Sequence, residues 1–309
     1  MKVIIFGGAG FIGKHLQQIM SNNIIYDIAI DDTLDVREPI KINSNNDNVI
    51  AIVNLAAVHK TPGHPDCDYY QTNMLGAENI CKYAEENGIN TILFTSSIAP
   101  YGASESQKTE KTLPMPNTPY GISKLVAEEI HKRWQAGDPE NRRLIILRPG
   151  IVFGKGEEGN FTRLFNMLKK RRFFFPGRKD TLKSSIYVKD LTRLMVEMIE
   201  NEPAGVHLYN MVFPEQHTIE YIVKNICDVI SISSKVPLLP AWLLKMVATL
   251  AVLLSKLLGF NMEGIHPDRV IKLMVSTNIS GIKLHDSGYT LQYSFKEAIQ
   301  DWYDNDIDI

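Results

Sequence analysis

Lys2-Val3-Ile4-Ile5-Phe6-Gly7-Gly8-Ala9-Gly10-Phe11-Ile12-Gly13 is the stretch that decides the fold. Residues 3–6 are a short β-branched and aromatic run, the signature of a buried strand. They feed directly into glycines, and a helical pattern follows over 13–21. Glycines at this junction permit a tight turn and a close backbone approach to a pyrophosphate at the helix N-terminus, where unpaired N–H groups favour an anion. The spacing fits two registers, Gly8-x-Gly10-x-x-Gly13 and Gly7-x-x-Gly10-x-x-Gly13. A strand before it and a helix after it are the context in which this pattern binds a dinucleotide.

Outward from that turn, apolar strand candidates recur at 24–26, 50–55, 91–95, 144–147 and 206–209. Helical stretches lie between most of them, for example at 75–87 and 118–135. Alternation of this kind predicts an α/β fold, a Rossmann-type doubly wound parallel sheet covered on both faces. Residues 37–48 are polar and aperiodic, so the region after the second strand looks abbreviated. Pro149-Gly150 ends the first continuous block. The expected division is a dinucleotide-binding domain at 1–149, rejoined by 183–212. A smaller, mostly helical substrate domain would comprise 150–182 and 213–309.

Composition bounds the chemistry. The 309 residues are 44% hydrophobic and 22% charged, which suits a soluble chain with a large core. A net charge of −2 makes no electrostatic case for nucleic acid. Cys67, Cys81 and Cys227 are odd in number and unpatterned, so neither a disulfide framework nor a metal site is indicated, and a cytoplasmic location is the default. The run PAWLLKMVATLAVLLSKLLGF at 240–260 is apolar, but Lys245 and Lys256 interrupt it and leave a segment too short to span a bilayer. A core or dimer-interface helix is the favoured reading, with a helix on the membrane surface as the minority one.

Tyr120 and Lys124 stand four residues apart, one turn along one helix face. An ammonium there can favour the ionised phenol, whose reference pKa of about 10 is otherwise too high for a base at neutral pH. Such a phenol can exchange a proton with an alcohol while hydride leaves the same carbon. Ser96 and Ser97 lie between the glycine turn and this helix, and either could hold the substrate oxygen. An acid near the end of the second strand should accept the adenosine ribose hydroxyls and disfavour a 2′-phosphate. Asp27 fits best, Asp31 and Asp32 are its rivals, and NAD is expected over NADP.

These pieces carry a family resemblance. The chain resembles the extended short-chain dehydrogenase/reductases, in the branch of UDP-galactose 4-epimerase and related nucleotide-sugar reductases. The matching motifs run in order: Gly7 to Gly13, Asp35-Val36-Arg37, Asn54-Leu55-Ala56-Ala57, Thr72-Asn73 with Gly76, Thr95-Ser96-Ser97, and Tyr101-Gly102. They continue through Pro119-Tyr120-Gly121-x-Ser123-Lys124, Leu147-Arg148-Pro149, Gly159-Asn160-Phe161 and Tyr187-Val188-x-Asp190. By that resemblance Gly7, Gly10, Phe11, Ile12 and Gly13 cradle the cofactor, and Asp35 and Val36 face the adenine. Leu55, Ala56 and Ala57 line the ribose and nicotinamide, Asn73 supports the cofactor, and Pro149 approaches the carboxamide. Ser97 binds the substrate oxygen, Tyr120 exchanges its proton, and Lys124 holds the nicotinamide ribose. The family also implies a homodimer through a helix pair that includes 118–135.

Departures narrow the reaction. Related dehydratases carry an Asp-Glu pair where this chain has Ile98 and Ala99, which cannot transfer protons, so elimination of water is disfavoured. Many relatives place Asn where this chain has Ile151. Asn160, Lys183 and Arg269 are the candidates for the substrate diphosphate, with Arg178 and the run Lys169-Lys170-Arg171-Arg172 behind them. Epimerisation and 4-keto reduction of a nucleotide-linked sugar both stay open. A hydroxysteroid-like or other small-alcohol dehydrogenase is a rival, as is a non-catalytic NAD(P)-sensing scaffold.

Overall fold

The computed structural model describes residues 2–42, 48–59, 63–244, 246 and 274–305. Six strands form one parallel sheet: β1 (Lys2–Phe6), β2 (Asn23–Tyr26), β3 (Val49–Asn54), β4 (Thr91–Thr95), β6 (Arg143–Pro149) and β10 (Gly205–Met211). Their spatial order is β10-β6-β4-β3-β1-β2, so the chain reverses direction across the sheet between β1 and β3. In open α/β sheets the crevice at such a reversal, outside the strand C-termini, is where ligands sit. The six strand candidates read from sequence are these six strands. The helices between them are α1 (Phe11–Ile19), α3 (Gly76–Glu86), α4 (Pro119–Ala136) and α6 (Val188–Asn201).

Period-two alternation sorts β1 between two cores. Val3 and Ile5 pack with Leu16 of α1 and with Leu191, Leu194, Met195 and Met198 of α6. Ile4 and Phe6 face the other way, onto Ala77, Ile80 and Ala84 of α3 and Ala127 and Trp134 of α4. Strands buried on both faces read as continuous apolar runs, as these do. Each such side chain contributes roughly 1.5–3 kcal/mol by leaving water.

A third core lies apart from the sheet and is aromatic. Phe153, Phe161, Phe165, Phe175, Tyr187, Phe213, Phe295 and Trp302 are buried there. It joins α5 (Asn160–Lys169), α7 (Ile219–Val229) and α9 (Phe295–Asn305). Phe175 is therefore a packing residue. Two short parallel pairings fasten this part: β7 (Ile151–Phe153) with β9 (Ser185–Tyr187), and β8 (Phe175–Pro176) with β11 (Leu238–Leu239). A third joins β5 (Ser104–Lys108) to β12 (Thr277–Ile279), ahead of α8 (Ile282–Asp286). Among the described residues, no helix is long and apolar enough to cross a membrane.

Candidate active site

The C-terminal ends of β1, β2 and β3 meet at the reversal point. The Gly7 amide donates to the Tyr26 carbonyl at 3.0 Å, and the Leu55 amide donates to the Phe6 carbonyl at 2.8 Å, tying β1 to both neighbours beyond their ladders. Gly7 has φ of +76°, and a Cβ there would lie 2.7 Å from the Ala56 nitrogen. Only glycine satisfies both demands. Gly10 caps α1 without a side-chain hydrogen bond, which leaves the first-turn amides of Phe11, Ile12 and Gly13 open to an anion. That cradle fits a pyrophosphate.

Asp27 follows β2 directly. Its carboxylate accepts from the Ala9 amide in the glycine turn and from the Ala29 amide, each at 2.8 Å. Asp31 instead accepts from Thr33 and is exposed. Asp32 is exposed as well, and Asp27 is the one locked to the turn. Asp35 pairs with Arg37, whose guanidinium holds that carboxyl below its usual range. Asn79 of α3 donates to the carbonyls of Val36 and Glu38, pinning residues 36–38 beside the crevice.

The catalytic candidates meet at the end of β4. Thr118 caps α4 by accepting from the Gly121 amide at 3.1 Å, and Pro119 takes the first helical position. A Cβ at Gly121 would stand 2.8 Å from the Ala99 carbonyl oxygen, so the glycine lets the helix start press against the loop after Ser97. The Ser97 side chain stands beside Tyr120 and lowers its phenol. Tyr69, from α2 (Asp66–Tyr70), packs on the Tyr120 ring with centroids 6.3 Å apart.

Lys124 is buried, with Nζ donating to the Thr95 carbonyl at 2.7 Å and lying 4.7 Å from the Phe94 ring centroid. Burial pushes the Tyr120 phenol up to about 12, opposed by the Ser97 hydrogen bond. Burial pulls the Lys124 ammonium down to about 7, opposed by the charge of Glu128. The Lys124 ammonium, expected to depress the phenol, is turned to the Thr95 carbonyl. Ser97 is the polar partner that lowers Tyr120, because the lysine runs inward to the strand end.

Ser96, the other candidate, is occupied elsewhere: its hydroxyl donates to Glu128 Oε1 at 2.5 Å. Asn73 sits in a π-helical turn, Gln71–Leu75, between α2 and α3. It accepts from the Val58 amide at 3.0 Å, and its Nδ2 donates to the Val58 carbonyl at 3.2 Å and to Ser123 Oγ at 2.8 Å. Asn73 therefore cross-links the loop carrying Leu55, Ala56 and Ala57 to α4. Pro149 ends β6, and its carbonyl accepts from the Ile98 amide at 3.1 Å.

The substrate candidates are less gathered. Asn160 opens α5 and is exposed. Lys183 donates to the Val275 carbonyl at 2.8 Å, so its ammonium is engaged in holding the returning chain. Arg178 is shared between Glu105 and Asp180. Arg269 and most of 240–260 lie outside the described residues.

Sequence reading missed a buried polar stripe on α4. Lys124, Glu128, His131 and Gln135 follow one another at helical spacing, and all are buried. His131 stacks on Phe94 at 4.3 Å, and burial pulls its pKa down to about 4. The signal was available: polar residues at i, i+4, i+7 and i+11 continue the face that carries Tyr120 and Lys124.

Comparison with known proteins agrees with this geometry. The profile of the NAD dependent epimerase/dehydratase family matches residues 3–211. The N-acetyl-alpha-D-glucosaminyl-diphospho-ditrans,octacis-undecaprenol 4-epimerase of Escherichia coli O157:H7 is 28% identical, over 96% of this chain and 92% of its own. GDP-6-deoxy-D-talose 4-dehydrogenase of Aggregatibacter actinomycetemcomitans is 27% identical, over 67% of this chain and 74% of its own. In fold, UDP-glucose 4-epimerase of Thermus thermophilus, solved with NAD, superposes with a TM-score of 0.74 at 16% identity, covering 98% of both chains.

Proposed function

This chain belongs to the NAD dependent epimerase/dehydratase family, and we propose that it inverts C4 of a sugar carried on a diphosphate. It is an NAD(P)-dependent sugar epimerase or reductase of the extended short-chain type, an enzyme of hydride transfer at a secondary alcohol or ketone. One observation carries the catalytic reading: Ser97, Tyr120 and Lys124 gather at the end of β4, where Gly121 presses against the Ala99 carbonyl and Lys124 is anchored to the Thr95 carbonyl.

The amides of the first turn of α1 would hold the cofactor pyrophosphate, Asp27 the adenosine ribose, and Asp35 and Val36 the adenine side. Leu55, Ala56, Ala57 and Pro149 would border the nicotinamide, and Lys124 its ribose. The bound nicotinamide supplies the hydride acceptor and donor. Ser97 orients the sugar oxygen, and Tyr120 takes the proton from that oxygen and returns it. Burial keeps the phenol protonated until a substrate oxygen and a nearby positive charge shift the balance. With Ile98 and Ala99 beside Ser97, no carboxylate stands there to drive elimination.

The sugar carrier is a nucleoside diphosphate or a polyprenyl diphosphate, the latter supported by the Escherichia coli relative's own substrate. Residues 150–182 and 213–309 would recognise it, with Asn160 and Arg269 toward the diphosphate. Reduction of a 4-keto sugar is the second reading, favoured by the similarity to the talose 4-dehydrogenase. A homodimer in the cytoplasm completes the proposal.

The deciding experiment is the state of the cofactor in freshly purified protein, by absorbance and mass spectrometry after denaturation. Stoichiometric, tightly retained NAD supports the epimerase. UDP-hexoses and polyprenyl-diphosphate-linked N-acetylhexosamine are then screened for inversion at C4. Protein that arrives empty and takes up NADH or NADPH reversibly supports the reductase. Binding of cofactor without turnover of any such sugar would return the scaffold reading.

A further inference from the structure

We infer that the face carrying Lys169, Lys170, Arg171, Arg172, Lys235 and Trp242 docks on an anionic phospholipid surface. Two segments build it. The first is the end of α5 and its exit, where Lys169, Lys170, Arg171 and Arg172 are all exposed. The second is 233–242, where Lys235 and Leu238 are exposed and Trp242 is 67% exposed. The parallel pairing of Phe175 with Leu238 and of Pro176 with Leu239 lays the two segments side by side and running the same way. The Phe175 amide donates to the Pro237 carbonyl and the Gly177 amide to the Leu239 carbonyl, each at 2.8 Å. Arg172 and Lys235 therefore enter this pairing from the same end.

Charge is segregated in these segments. No Asp or Glu occurs between Glu158 and Asp180, or between Asp228 and Glu263, in a chain whose net charge is −2. A helix C-terminus accounts for basic residues in its last turn, such as Lys169. It does not account for Arg171 and Arg172, which lie beyond the helix, nor for Lys235 ahead of the neighbouring strand. Large apolar side chains are uncovered in the second segment and just after it: Leu238 is 45% exposed and Met246 47%. Lysines and arginines at one end of this pairing, with exposed leucine and tryptophan farther along it, match a bilayer interface, with cations at the phosphates and indole at headgroup level. Nucleic acid would use the cations but leave Leu238 and Met246 in water. None of these residues belongs to the Ser97–Tyr120–Lys124 group, and the test needs no turnover.

The full chain is mixed with vesicles of phosphatidylcholine, with or without phosphatidylglycerol, and sedimented at low and high salt. Tryptophan emission is followed in parallel. Trp134 and Trp302 are buried, 5% and 1% exposed, so a blue shift on adding vesicles reports Trp242. Binding to the anionic vesicles, weakened by salt and accompanied by that shift, is expected. Lys170→Gln, Arg171→Gln and Arg172→Gln combined should lower partitioning by roughly a hundredfold, at about fivefold per charge. Trp242→Phe should abolish the shift while the emission of the two buried tryptophans certifies the fold. Wild-type protein that stays in the supernatant overturns the inference, as does equal binding by the triple variant. Salt-sensitive binding to duplex DNA with no affinity for the vesicles would reassign the patch to nucleic acid.

Discussion

Arg148 and Glu128 form a bidentate ion pair sealed inside the protein, with Nε–Oε1 at 2.9 Å, Nη2–Oε2 at 2.5 Å, and side chains 2% and 0% exposed. The pair joins the end of β6 to α4 two turns beyond Tyr120 and one turn beyond Lys124. Arg148 also lies over the Tyr101 ring at 4.6 Å, and the Tyr101 hydroxyl donates to Asn210 Oδ1 at 2.9 Å. Helix α4 is thereby tied toward three strands of the sheet: β4 through Ser96, β6 through Arg148 and β10 through Asn210.

Removing one partner of that pair strands a buried charge. Glu128→Met should cost about 3–5 kcal/mol, while Glu128→Met with Arg148→Met should recover most of the loss. Denaturant unfolding of the two single variants and the double variant measures this. A double variant as unstable as the sum of the singles would show that the pair has no coupling.

Tyr120→Phe should retain cofactor binding and lose turnover by roughly a factor of 100 to 10,000, the range for a positioned proton-transfer group. Ser97→Ala should lower turnover less, because the phenol stays. Rates near wild type for Tyr120→Phe would end the proposed proton exchange.

Asn73 holds Val58 at both backbone groups and Ser123 at its hydroxyl. Asn73→Ala should destabilise by about 1–3 kcal/mol, the penalty for buried groups left unpaired. Turnover should fall more than cofactor affinity, since the loop and the helix both persist but lose their relative position. Thermal denaturation with parallel kcat and cofactor Kd values tests it.

Lys124 is held down to about 7 from 10.5, burial being the main cause. A depressed lysine binds its proton less readily when folded, so its cost to stability is full below about 7 and is relieved as pH rises toward 10.5. Lys124→Met should therefore raise the Tm of cofactor-free protein most near the acid side of neutrality. The advantage should shrink as the medium becomes alkaline. An advantage independent of pH would assign the effect to packing alone.

Asp27 faces the glycine turn with its carboxylate, which favours ribose hydroxyls over a 2′-phosphate. NAD should bind more tightly than NADP, and Asp27→Ser should narrow the ratio by about tenfold, the equivalent of losing roughly 1.4 kcal/mol of discrimination. Titration of both cofactors by fluorescence reads this. A wild-type preference for NADP would move the recognising acid elsewhere.

Much of this protein was legible in its sequence because the governing signals are local. Strand candidates, the glycine turn and the one-turn spacing of Tyr120 and Lys124 depend on neighbours within a dozen residues, and the six strands appear where apolar runs place them. The tertiary structure decided what depends on partners far along the chain. It gave the Ser96 hydroxyl to Glu128, 32 residues on. It directed the Lys124 ammonium to the Thr95 carbonyl, and it turned Lys183 to the Val275 carbonyl, 92 residues away. A side chain's type is written in the sequence, whereas its hydrogen-bond partner is chosen only once packing has removed water and brought distant groups within reach.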